Sequence, residues 1–273
     1  GGTGADLVNA NTGTHVLNRG TGIDTLSFAA ATGAVVLNLA TTTAQNSGYG
    51  TYTITALSVE NVTGSANNDT ITGDANANIL LGGGGDDTLV GAAGNDTLDG
   101  EGGTNTVSYG YTGTAVVANM GTVDGSGYYT VTLGAESDKV KNIATFIAGT
   151  GNDTITGDNN ANVIYGGTGA DTLTGGAGND TLYGEAGVNV LSGGANDDTL
   201  IGGDSGNTLS GNDGNDVITG GTGTDTVDGG LGVDAMTGGG GTDTLTWQSL
   251  TGGNAIIRLD LGNATDYQGS VDT

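Results

Sequence analysis

No cysteine and no proline occur in the 273 residues of this chain, and only four residues are basic. Without cysteine there is neither a disulfide nor a thiolate zinc site, so a chain working outside the cell needs another staple. Arg19, Lys139, Lys141 and Arg258 are scattered against a formal charge of -26. No cationic surface exists to hold a phosphate backbone, which excludes nucleic acid as the partner. Long apolar runs are missing as well. Residues 34–37 form one of the longest aliphatic runs, far short of the roughly 18 residues of a membrane span, so no membrane insertion is expected. The chain opens at Gly1 without a methionine or a charged-then-apolar leader, and is read as an excerpt of a longer protein.

What is present is glycine, at 58 residues, and aspartate, at 26 of the 30 acids. Both are periodic. From Ala148 the chain reads in nines without a break: AGTGNDTIT, GDNNANVIY, GGTGADTLT, GGAGNDTLY, GEAGVNVLS, GGANDDTLI, GGDSGNTLS, GNDGNDVIT, GGTGTDTVD, GGLGVDAMT, GGGGTDTLT. Five further copies cover 64–108 and three cover 1–27, giving 19 copies that occupy well over half of the chain. The sixth position is Asp or Asn in every copy except the one holding His15, and the eighth is always Leu, Ile, Val or Met. No helix fits that pattern.

The glycine-rich half reads as a tight turn whose backbone takes angles closed to other residues, and the other half as a three-residue strand with its central aliphatic pointing inward. Two such units make one coil. A lone strand of this length cannot bury its side chain, so the copies must stack. One aliphatic per copy does not outweigh the entropy of ordering the whole copy, so apolar burial needs help.

The sixth column supplies it. With copies alternating between two edges, residues two copies apart stack. Asp6 lies over Asp24, Asp69 over Asp87, Asp153 over Asp171, Asp180 over Asp198, Asp198 over Asp216, Asp216 over Asp234, and Asp225 over Asp243. Five more steps pair Asp with Asn: Asn78 with Asp96, Asp87 with Asn105, Asn162 with Asp180, Asp171 with Asn189, and Asn207 with Asp225. One step pairs Asn189 with Asn207 and is expected to be weak or empty. Stacked carboxylates repel unless a cation lies between them. A hard dication with six or more oxygen ligands suits two such side chains plus turn carbonyls, and calcium tolerates that flexible cage better than magnesium. Thirteen calcium sites are expected.

The consensus GGxGxDxUx in these 19 copies resembles the RTX calcium-binding nonapeptide repeat of secreted bacterial proteins, in which a parallel β-roll holds calcium between turns. That resemblance implies a right-handed parallel β-roll, export through a one-step secretion channel, and folding on meeting calcium outside the cell.

Residues 28–63 and 109–147 interrupt the ladder and resemble each other. TLSFAAATGAVVLNL matches TVSYGYTGTAVVANM, and each stretch reaches a Gly/Tyr turn before an alternating run that reads as an antiparallel hairpin. A third such segment begins in 247–273, after the long block 148–246. Phe28, Tyr109 and Trp247 mark the three exits from the ladder and read as caps over its apolar interior. Because the large unit recurs, the preferred function is a structural module of a secreted or cell-surface protein, of adhesin, surface-layer or filament type. Its partners would then be calcium and, in a filament or lattice, copies of itself. The alternative is the export and folding tail of a secreted protease or lipase. A ligand-binding solenoid is the third reading, but its third-position column, Thr150, Thr168, Ala186, Asp204, Thr222, Gly240, is irregular.

No catalytic constellation emerges. Ser205 in GDSG occupies a turn position of a repeat, and the one histidine, His15, lies many coils away and reads as a solvated turn residue. Glu101 and Asp272 read as solvated surface charges.

Overall fold

The computed structural model describes residues 3–18, 20–54 and 59–246, with the backbone of Ile256–Arg258 and Tyr267–Gln268. Trp247 and the third segment apart from those two short strands lie outside the described residues. Every element among the described residues is a strand, and most of these are very short. Two compact units are formed: Gly1–Tyr111 with Val123–Thr145, and Thr112–Thr122 with Phe146–Thr273.

In the second unit, each strand of one edge pairs in parallel with the strand two copies later. Thr154–Thr156 is followed by Thr172–Ala177, Val190–Ala195, Thr208–Asp213, Thr226–Asp228 and Thr244–Thr246. The other edge runs Val163–Tyr165, Thr181–Tyr183, Thr199–Gly203, Val217–Thr222 and Ala235–Gly240. The architecture is the parallel β-roll that the repeat predicts. Ile155, Leu173, Leu191, Leu209, Val227 and Leu245 come inward from one edge, and Ile164, Leu182, Leu200, Ile218 and Met236 from the other, none more than 5% exposed. The flanking threonines and serines face outward because strand side chains alternate.

The first unit follows the same rule with two longer steps, each of which passes over an interrupting segment. Thr25–Ser27 pairs with Asn61–Thr63, and Thr97–Asp99 pairs with the far end of Glu136–Lys141. Within the first long step, Val36–Asn38 joins the opposite edge beside Thr70–Thr72, and a small three-stranded sheet leaves the roll. There Thr51–Ile54 pairs antiparallel with Gln45–Asn46 and parallel with Thr14–Leu17. In the second long step Tyr129–Leu133 and Glu136–Lys141 form the expected antiparallel hairpin. Gly134 at φ +61° starts its two-residue turn, a position that glycine fills without steric penalty.

The segment 109–147 is thereby shared. Val116–Asn119 pairs in parallel with Thr154–Thr156 in the second unit, while the hairpin pairs with Thr97–Asp99 in the first. Phe28 and Tyr109 are fully buried. Phe28 meets the Tyr52 ring edge-on at 5.4 Å, and His15 stacks on the same ring at 5.1 Å. The Tyr52 hydroxyl donates to the Asn11 carbonyl at 2.6 Å and accepts from the Asn11 N–H at 3.0 Å. His15 is therefore half-buried against an aromatic ring, not a solvated turn residue, because the strand that carries it joins the three-stranded sheet rather than the roll.

Candidate metal sites

The sixth residue of each copy sits where the turn enters the strand, and its side chain folds back under the turn. Asp24, Asp69, Asn78, Asp87, Asp96, Asn105, Asp153, Asn162, Asp171, Asp180, Asn189, Asp198, Asn207, Asp216, Asp225, Asp234 and Asp243 are at most 2% exposed, while Asp6 is half-buried. All thirteen expected pairs are joined in one way. The backbone N–H of the earlier residue donates to Oδ1 of its partner two copies later, at 2.6 to 3.0 Å. The fifth column runs a ladder in the opposite sense. Asn68, Asp86, Asn152, Asp197 and Asn215 each accept, through Oδ1, the N–H of the residue two copies later.

One oxygen of each later aspartate in these steps is thus committed to the neighbouring coil. The other is not: Oδ2 of Asp87, Asp96, Asp171, Asp180, Asp198, Asp216 and Asp225 is buried without a hydrogen-bond partner. These oxygens lie against the first glycine of their own copy. A Cβ on Gly82, Gly91, Gly166, Gly175, Gly193, Gly211 or Gly220 would collide with them, so these seven positions call for glycine.

Burial raises the pKa of these carboxyls, offset in part by the N–H bond and reinforced by like charge nearby. Asp87, Asp171, Asp180 and Asp216 are lifted to about 6, Asp198 to about 7 and Asp96 to about 8. Asp225 and Asp234 move in the same direction for the same first cause. An unfolded chain has aspartates near ~3.9. The folded metal-free roll therefore binds more protons than the unfolded chain across the interval between. The stabilising contribution of these groups is complete below about pH 4 and is lost as the pH rises through about 6 to 8. Acidifying metal-stripped protein from pH 8 to pH 5 in calcium-free buffer should restore strand signal in circular dichroism. With saturating calcium, which requires the ionised carboxylates, the same acidification should lower the melting temperature. Equal signs in the two conditions would contradict a cation at these oxygens.

The donor set fits a hard cation. Among the described residues no three or more His, Cys, Asp or Glu side chains cluster to hold a metal. A cation under these turns would take carboxylate oxygen from one or two coils and complete its shell with turn carbonyls, as calcium does.

Two ladder residues escape a search for the nonapeptide. Asp138 is buried on the coil that follows Asp96, accepting the Asp96 N–H through Oδ1 at 2.7 Å and the Tyr109 hydroxyl through Oδ2 at 2.9 Å. Glu60 takes the corresponding place after Asp24, accepting its N–H through Oε2 at 2.7 Å. In both, an acid stands two residues before a buried aliphatic, Val140 and Val62, and this remnant of DxU without its glycines is the only sequence signal.

No curated protein matches the chain. The family model described as the RTX calcium-binding nonapeptide repeat (4 copies) matches residues 59–89, 81–110, 144–173, 165–200, 174–209, 201–236 and 210–245. These matches cover more than half of the 273 residues. Turn register, buried aspartates and family match agree, and the chain belongs to the RTX calcium-binding nonapeptide repeat family.

Proposed function

We propose that the chain is a structural module of a secreted or cell-surface protein whose β-roll folds when calcium binds between successive turns. The observation that carries this reading is the row of seven buried, unpartnered aspartate Oδ2 atoms repeating along the roll edges. A buried carboxylate oxygen without a donor is costly, and a divalent cation shared between coils removes the cost and the repulsion together. The ligands would be the eighteen Asp and Asn residues of the sixth column, with turn carbonyls completing each shell. A mostly unfolded chain at the low calcium of a cytosol and a folded one outside follow from such coupling. The recurrence of the large unit, with a roll block on each side of both interruptions, favours an element of an extended array.

Asp198 tests the register, because its Oδ1 accepts from Asp180 and its N–H donates to Asp216, placing it in two predicted sites. Asp198→Ala should lower the number of calcium ions bound per chain by two in equilibrium dialysis. An unchanged number would refute the assignment of sites to steps of two copies.

A further inference from the structure

Five copies carry Asn instead of Asp in the sixth column, and four of these have an acid at their own second position: Asp74 with Asn78, Glu101 with Asn105, Asp158 with Asn162, and Glu185 with Asn189. No copy with a sixth-column aspartate has an acid at its second position. The fifth Asn copy, that of Asn207, has Gly203 there and Asp204 one place later. In those four copies, the charge lost from the sixth position reappears at the second.

In two of the four copies the turn brings these two positions into contact. The N–H groups of Asp74 and Asp158 donate to Oδ1 of Asn78 and Asn162, each at 2.8 Å. In copies with aspartate, the second residue makes the same contact from Ser65 to Asp69 and, at 3.1 Å, from Gly149 to Asp153. In the ladder, Asn78, Asn105, Asn162 and Asn189 are joined to Asp96, Asp87, Asp180 and Asp171 of the adjoining coil. Those same four aspartates have a buried Oδ2 with no hydrogen-bond partner. Two of the acids hold an unfavourable backbone: Glu101 and Glu185 have φ of 58° and 64°, in a column where glycines such as Gly83, Gly176 and Gly221 take the left-handed region freely.

We propose that Asp74, Glu101, Asp158 and Glu185 are calcium ligands that replace the carboxylate missing from the sixth column. The steps Asn78–Asp96, Asp87–Asn105, Asn162–Asp180 and Asp171–Asn189 then each keep two carboxylates for one cation. Asn189–Asn207 has no sixth-column aspartate on either coil and stays the weakest of the thirteen. Glu101 changes from a solvated surface charge to a ligand.

The inference rests on the calcium reading of the ladder, and the count of ions on the unaltered chain tests that reading separately. Equilibrium dialysis of the full chain against buffered calcium is the experiment. Asp74→Asn, Glu101→Gln, Asp158→Asn and Glu185→Gln combined should leave four ions fewer, or bound at least tenfold more weakly. Adding Asn189→Asp to Glu185→Gln should restore one of them. Should the combined variant not fold, Glu185→Gly places the column's usual residue there, relieves the backbone, and should still weaken one ion by tenfold or more. Wild-type binding by Glu185→Gly or by the combined variant would overturn the proposal. An unaltered chain that binds no calcium would overturn the earlier reading instead.

Discussion

In excess EGTA at pH 8 the strand signal of this chain should collapse, and adding calcium back should restore it. Seven buried Oδ2 atoms have no hydrogen-bond partner, and the pKa values of several of those carboxyls are raised to about 6 to 8. At pH 8 most of them must ionise with nothing to balance them. An uncompensated buried charge costs several kcal/mol, on the scale of ~3 to 5 kcal/mol when a partner is removed from a buried pair. A domain has only about 5 to 15 kcal/mol in hand. A cation at a hundredfold excess over its dissociation constant contributes about 2.7 kcal/mol per site, so a few sites are comparable with the stability of an ordinary domain. Ordering by calcium should also be cooperative, since Asp171, Asp180, Asp198, Asp216 and Asp225 each stand in two successive steps. Native-like strand signal in excess EGTA at this pH would sink the coupling of folding to calcium.

Adjacent glycines should respond in opposite ways to the same substitution. Gly241 has φ +129°, and a Cβ there would fall on the carbonyl oxygen of Gly223 in the coil before it. Gly240 lacks that conformation, and a Cβ on it meets nothing within 4 Å. In saturating calcium, Gly241→Ala should destabilise the roll by about 2 to 3 kcal/mol, combining a left-handed backbone with a steric conflict between coils. Gly240→Ala should fall within about 0.5 kcal/mol of the unaltered chain, or stabilise it slightly by restricting the unfolded state. Urea unfolding of the two variants side by side reads the difference, and equal midpoints would contradict the stacking of turns at this place.

The repeat itself made the second unit legible. A nonapeptide period with one aliphatic per copy has few ways to bury its side chains, and stacking two copies per coil puts Ile155 beside Leu173 and Asp153 beside Asp171. The two hairpins were readable from alternation in the runs that end at Ile54 and Leu133. The fate of the interruptions was not. Nothing in TVSYGYTGTAVVANM says that Val116–Asn119 pairs with Thr154–Thr156 while the hairpin after it pairs with Thr97–Asp99. Each of those pairings joins strands much further apart in the chain than two copies, and only three-dimensional closure selects among such distant partners.

Sequence alone determined the period, the inward aliphatic and the stacked Asp and Asn of the sixth column, because each is a local pattern repeated often enough to leave one register. Tertiary structure decided how each carboxylate is used. In seven aspartates it committed Oδ1 to a backbone N–H of the adjoining coil and left Oδ2 buried without a hydrogen-bond partner. It also drew Asp138 and Glu60 into the ladder from segments without the repeat. The physical reason is that a chain without cysteine or proline can read out its spacing locally, whereas the partner of a buried oxygen depends on which coil lies above it.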